Sequence, residues 1–419
     1  MTKKKKILVS FIMFTGVNGI NAAIPFLLLP ILTKYLLPEE YIIIDIFQNL
    51  SLFFMPIIGL NVLGSVERFY FDRDFINLPV YISTGIFFSL FTLIGFLAVY
   101  FLVDYNHLIP TIGDFPNNLI YWVVVYSFFT LLIEVQLSIW RVQVKPFLYG
   151  GLRIGKTIID LALSYFLIVN LNWDWEGRVF GMIVSTLVIA LVAIITLRRN
   201  QWLALSYRKE YVYQGISFSG PLILHTLSAF IIGFSDRIFV LEMVNSQEAG
   251  IYSVAYQIGM VMSLIQNSFN QVWAPHTFKV MKSESESGPV ELMKANYLYA
   301  IIIFLLVPII TFLLPYIYST FIGSSYQSGI NIVFWVLLGY AFNGIYRMLV
   351  NYLIYIKKTK LIAFNTVLSA ISNLVLNYYF ISKFGVIGAA FATTVSFALL
   401  FLLTLRSVTK YFKLPWSLK

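Results

Sequence analysis

Apolar stretches about as long as a bilayer-crossing helix follow one another almost from end to end of this chain. A membrane helix needs about 20 apolar residues, and segments of that length recur with only short polar gaps. We place twelve spans at roughly 7–33, 41–65, 80–103, 118–140, 152–171, 179–197, 216–241, 250–274, 295–315, 330–356, 361–382 and 386–405. Length alone, 419 residues, would suggest two or three soluble domains. A chain that is 59% hydrophobic and only 11% charged overrides that estimate. The expected class is an all-α polytopic membrane protein. At the N-terminus, Lys3–Lys6, Ile7–Phe14 and Ala22-Ala23 have the layout of a signal peptide. Apolar character runs on through Ile24–Leu32, so we read an uncleaved first helix.

Charge gives the orientation. With twelve spans, one face collects Lys3–Lys6, Arg68, Arg73, Arg141, Lys145 and most other basic residues, 24 of the 29. The opposite face keeps Lys34, Arg178 and Lys383, and Arg237 and Arg347 lie inside spans. The positive-inside rule then puts both termini in the cytoplasm. The net charge of +10 is therefore read as loop charge on a membrane protein, not as a nucleic-acid surface.

The chain repeats itself weakly. Leu37-Pro38-Glu39-Glu40-Tyr41 precedes span two as Ser246-Gln247-Glu248-Ala249-Gly250-Ile251-Tyr252 precedes span eight. Glu176-Gly177-Arg178 precedes span six as Phe384-Gly385-Val386 precedes span twelve. Glu40 to Glu248 and Gly177 to Gly385 are each 208 positions apart. This predicts a duplicated six-helix unit, with halves at 1–205 and 206–419. Repeats of this kind place substrate sites between the halves near the midplane.

Several chemistries are excluded. There is no cysteine, hence no disulfide and no thiolate metal site. His107, His225 and His276 match no zinc spacing. No Walker A sequence is present, so ATP is not a direct energy source and no cofactor is expected.

Charged and amide residues inside the spans are the candidate site. Arg347 lies mid-span with Asn343 and Asn351 at i−4 and i+4, one helical face. A guanidinium among amides keeps its charge and suits an anion such as phosphate. The alternative is a structural pair with Asp45, Glu134, Asp160 or Asp236. Asp236 and Arg237 are adjacent near the outer end of span seven, about 100° apart on the helix, so they need not pair with each other. Arg237 either projects to the cavity or snorkels outward; Asp236 is a gating or coupling candidate. Asn18 and Asn21 in span one, Asp45 with Gln48 and Asn49 in span two, and Ser263, Gln266, Asn267, Asn270 and Gln271 in span eight form polar stripes. A hydrated cavity and interhelical polar contacts both account for such stripes. Glu134, Asp160 and His225 are further proton-coupling candidates, each with a structural alternative.

Three passages together resemble a known family. Ser235-Asp236-Arg237 followed by Glu248-Ala249-Gly250-Ile251-Tyr252, then Ser372-Asn373-Leu374-Val375-Leu376-Asn377-Tyr378-Tyr379, then Phe384-Gly385-Val386-Ile387-Gly388-Ala389-Ala390 are similar to the polysaccharide repeat-unit flippases. These form the O-antigen and capsule branch of the multidrug/oligosaccharidyl-lipid/polysaccharide exporter superfamily. The resemblance implies a V-shaped pair of six-helix bundles with alternating access in a bacterial inner membrane. It implies an undecaprenyl-pyrophosphate-linked oligosaccharide as cargo and an H+ or Na+ gradient as energy source. It also implies membrane lipids, a polysaccharide polymerase and a chain-length regulator as partners. A multidrug and toxin extrusion transporter is the nearest rival, supported by Asp45, Asp160 and Asp236 but opposed by a mid-span Arg347. A membrane polymerase or glycosyltransferase would need a larger outer loop than Asp104–Asn117.

Overall fold

The computed structural model describes residues 16, 19, 26–71, 74–105, 112–282 and 288–411. Apart from an isolated bridge between Ile112 and Phe115, the described residues are helices and their connections. In chain order the helices are α1 (Phe26–Tyr35), α2 (Pro38–Ile57), α3 (Val66–Phe71), α4 (Leu78–Tyr105), α5 (Leu119–Val142), α6 (Pro146–Tyr165) and α7 (Asp174–Arg199). They continue with α8 (Lys209–Met243), α9 (Ser246–Gly259), α10 (Val261–Lys282), α11 (Gly288–Phe321), α12 (Ile330–Tyr355), α13 (Thr359–Phe384) and α14 (Val386–Tyr411). A 3-10 segment, Ile58–Ser65, joins α2 to α3, and a π turn, Phe166–Asn170, extends α6.

Among the described residues eight segments are long and apolar enough to cross a membrane, so the chain is a multi-pass membrane protein. The helices at the predicted fifth and eighth spans are not among the eight. Most of span one lies outside the described residues. α6 is diluted by Arg153, Lys156 and Asp160, and α9–α10 by the amides of α10. Two of the helices carrying candidate polar residues thus have a weak apolar signal, as expected where intramembrane polar groups are kept for a purpose.

The chain forms two compact units, one of residues 1–31 and 40–227, the other of residues 32–39 and 228–419. The division falls inside α1, near the start of α2 and inside α8 rather than in a loop.

In the first unit, span two is not one helix. Gly59, Leu60 and Asn61 take left-handed φ values of 76°, 47° and 55° and break it. Backbone groups released inside a membrane protein need internal partners. Gly59 N donates to Thr92 Oγ1 at 2.9 Å, and Tyr81 Oη donates to the Val62 carbonyl at 2.5 Å. α5, α6 and α7 share a core of Ile133, Leu137, Trp140, Tyr149, Leu152 and Ile189.

In the second unit, α12 and α14 pack closely: Gly339 faces Thr394, whose Oγ1 donates to the Trp335 carbonyl at 2.7 Å. The end of α1 belongs here, with Tyr326 Oη donating to the Leu36 carbonyl at 3.0 Å. The repeat inferred from the sequence has a helical counterpart. α2 begins at Pro38 and α9 at Ser246, again 208 apart, and both helices break before their span is complete.

The Glu248–Tyr252 passage now has a physical explanation. Asn245 caps α9, its Oδ1 accepting from Glu248 N at 2.7 Å. Gly250 packs on the start of α2, where a Cβ would stand 1.9 Å from the Pro38 carbonyl oxygen. That neighbour is backbone and cannot rotate away. Gly250→Ala is therefore expected to cost about 1–3 kcal/mol, read as lower membrane abundance and a lower melting temperature in detergent; an unchanged melting temperature would refute the close contact.

Candidate functional site

α12 carries the site. Its buried face presents Tyr340, Asn343, Arg347 and Asn351 at helical spacing, and α10 lies against it. The break between α9 and α10 sets that contact. Gly259 abuts Val336, where a Cβ would meet Cγ1 at 2.4 Å, so α9 ends tight on α12 and α10 continues along it. Gly344 leaves room for Gln266, whose Nε2 donates to the Tyr340 carbonyl at 2.7 Å.

Arg347 sits among amides. Its Nε donates to Asn343 Oδ1 at 2.8 Å, and Nη1 donates to Asn267 Oδ1. One turn on, Asn351 Nδ2 donates to Asn270 Oδ1 at 3.0 Å. Asn343 and Asn351 are buried, whereas Arg347, Asn267 and Asn270 are half-buried. Among the described residues no carboxylate forms an ion pair with Arg347. The amides hold the guanidinium in place through two of its nitrogens and leave its positive charge uncompensated. A partly accessible, oriented and unneutralised guanidinium has the chemistry to hold an anion. Five residues singled out from sequence, Asn267, Asn270, Asn343, Arg347 and Asn351, are brought together here.

The carboxylates weighed as partners for Arg347 have other neighbours. Asp236 and Arg237 are buried and pair with each other, Nη1 to Oδ1 at 3.1 Å, although their angular separation did not require it. Asp236 Oδ1 also accepts from Arg237 N at 2.9 Å. Its Oδ2 accepts from Tyr252 Oη at 2.5 Å and from Thr393 Oγ1 at 3.2 Å. Arg237 donates to the Gly233 carbonyl at 2.7 Å and lies over the Tyr256 ring at 4.0 Å. Arg237 therefore points into the packed interior of its unit in this structure, among tyrosines, and not outward.

Asp160 accepts from Arg178 Nη1 at 2.6 Å, across the α6–α7 hairpin. Arg178, assigned from sequence to an outer loop, is instead a buried residue of α7, because Asp160 and Ser164 provide its partners. Asp45 accepts from Asn49 Nδ2 within α2 at 3.0 Å. Glu134 lines a cavity of about 140 Å³ with Arg153, Lys156 and Asp160. The basic residue two turns beyond it, Arg141, pairs with Glu67. Asn18 and Asn21 lie outside the described residues, as does the side chain of His225 in α8.

Sequence reasoning missed Tyr252, Tyr256, Tyr340 and Thr393. Tyr252 and Tyr256 share a face of α9, one turn apart, and that spacing was the available signal. Thr393, 157 positions from Asp236, carries none. Tyr340 Oη donates to Tyr256 Oη at 3.3 Å, so aromatic hydroxyls join the surroundings of the buried pair to the helix bearing Arg347.

Comparison with known proteins agrees with this architecture. The polysaccharide biosynthesis protein family matches residues 7–281. Two proteins of Haemophilus influenzae are similar over most of their length. One, an uncharacterized membrane protein, is 28% identical over 360 residues, 83% of each chain. The other, a product of the Lsg locus, is 26% identical over 363 residues, 83% of this chain and 84% of that one. Among solved structures, an inward-facing multidrug resistance MATE family transporter of the MOP superfamily has a TM-score of 0.73 at 15% identity, covering 93% of this chain and 95% of its own. The lipid II flippase MurJ, in an inward closed conformation, has a TM-score of 0.70 at 14% identity, covering 96% and 87%. By its family match, the chain belongs to the polysaccharide biosynthesis protein family, and its fold is like that of these two transporters.

Proposed function

We propose that this protein is a flippase for a lipid-linked oligosaccharide. It moves a repeat unit on undecaprenyl pyrophosphate from the cytoplasmic to the outer leaflet of a bacterial inner membrane, for O-antigen or capsule assembly. The observation that carries this reading is Arg347, an oriented and uncompensated cation held by Asn343 and Asn267. A pyrophosphate complements it, and the amides of α10 and α12 suit sugar hydroxyls. Two six-helix bundles, 1–205 and 206–419, work by alternating access with both termini in the cytoplasm. Asn18 and Asn21, outside the described residues, stay candidate cargo contacts on their sequence pattern alone. Asp236, linked toward Arg347 through Tyr256 and Tyr340, is the favoured coupling carboxylate for an H+ or Na+ gradient. Asp45, Glu134, Asp160 and His225 are secondary coupling candidates. The polymerase and chain-length regulator receive the flipped unit.

The test is removal of the protein from a cell that displays the polysaccharide. Surface polysaccharide is expected to disappear while the lipid-linked repeat unit accumulates where external glycosidase cannot reach it. The fold likeness to multidrug exporters favours the rival reading. Unchanged polysaccharide with raised sensitivity to cationic drugs would select that rival.

A further inference from the structure

A groove between α10 and α11 takes no part in the reading so far. It holds about 300 Å³ and is lined by Ile265, Phe269 and Trp273 from α10 and by Leu298, Tyr299 and Ile302 from α11, with further aliphatic residues behind them. Its floor is an aromatic ladder. Tyr299 stacks on Phe269 with centroids 4.7 Å apart and planes at 25°, and Phe269 on Trp273 at 5.7 Å and 21°. Leu298 and Ile302 at its rim are exposed, 59% and 47%, so the groove opens on the lipid-facing side of α11. The indole Nε1 of Trp273 is buried in the groove wall with no acceptor among the described residues.

The groove is joined to the cationic site by one residue. The Tyr299 ring lines the groove, while its hydroxyl reaches α12, where a Cβ at Gly344 would stand 3.1 Å from it. Gly344 is one turn before Arg347. A cation on one side of Tyr299 and a dry aromatic slot on the other match an amphiphile with an anionic head and an apolar chain. Lipid tails are as apolar as the groove, so transfer from water contributes nothing there. What the groove adds is close contact, and dispersion rewards fit. A methyl-branched chain lying on flat rings makes more such contacts than disordered bilayer lipid.

We propose that this groove seats the head-proximal isoprenoid segment of a polyprenyl chain whose pyrophosphate is held at Arg347. The proposal rests on the flippase reading above. Along α11 the lining runs from Ala295 to Leu306, about 17 Å at the helical rise, enough for the start of the chain while the remainder stays in the bilayer.

The test uses the full chain in vesicles of phosphatidylethanolamine and phosphatidylglycerol, with a benzophenone-bearing polyprenyl pyrophosphate as probe. Photo-adducts are expected on peptides containing Phe269 to Trp273 or Leu298 to Ile302. Ile302→Trp fills the groove and is expected to reduce labelling about tenfold, equivalent to losing on the order of ten carbon–carbon contacts. Ile301→Trp, at a neighbouring lipid-facing position that is 57% exposed, is expected to leave labelling unchanged. Both variants are compared at equal amounts of monodisperse protein. Equal labelling by a benzophenone-bearing phosphatidylglycerol would show bulk lipid in the groove and overturn the proposal. So would labelling unaffected by Ile302→Trp. Failure of the flippase reading appears separately, as polysaccharide display that survives removal of the protein.

Discussion

Arg347→Ala should abolish most surface polysaccharide in cells that depend on this protein. A hydrogen bond to a charged group is worth about 1.5–3 kcal/mol, so transport should fall on the order of 10- to 100-fold. The fold should survive. The groups left behind, buried Asn343 and half-buried Asn267, are neutral amides, and no carboxylate is stranded. Arg347→Lys keeps the charge but loses the planar fork and the second amide contact, so an intermediate phenotype is expected. The readout is polysaccharide per unit of protein in the membrane. Normal display by Arg347→Ala at normal abundance would remove Arg347 from the transport site.

The second large effect is on stability. Asp236→Ala leaves the Arg237 guanidinium buried without its carboxylate and takes the acceptor from Tyr252 and Thr393. Breaking one side of a buried pair costs about 3–5 kcal/mol, a large share of the 5–15 kcal/mol that separates typical folded from unfolded states. Low abundance and a clearly lower melting temperature in detergent are expected. The double variant Asp236→Leu/Arg237→Met removes both charges and should recover much of that stability, because paired buried charges are often replaceable by apolar residues. The double variant also separates two roles. Restored abundance without restored transport identifies Asp236 as a coupling group. Restored abundance with restored transport reduces the pair to architecture.

The legible and illegible parts of this site divide by distance along the chain. Asn343, Arg347 and Asn351 were found together because one helix turn is a local rule, and the same rule grouped Asn267 with Asn270. That the two stripes face each other, Arg347 on Asn267 and Asn351 on Asn270, depends on how far each helix is rotated about its axis. The break at Gly259 and the gaps at Gly259 and Gly344 set that rotation. Arg178 was misplaced for a related reason. Its charge suggested a loop, but Asp160 and Ser164 across the hairpin make burial affordable.

The sequence by itself determined that this chain is helical and lives in a membrane, that the starts of its second and eighth spans share one repeat spacing, and that α12 bears a cation among amides. These follow from hydrophobic length, helical period and repeated spacing, all of which act over short stretches of chain. Only the tertiary structure decided which charges remain uncompensated. Among the described residues Asp236 has Arg237, Tyr252 and Thr393, Asp160 has Arg178, and Arg347 has only amides. Coulomb pairing falls off over a few ångströms in space, whatever the separation in sequence. That Arg347 meets no carboxylate among the described residues is therefore a property of packing, and it is the property on which the proposed function depends.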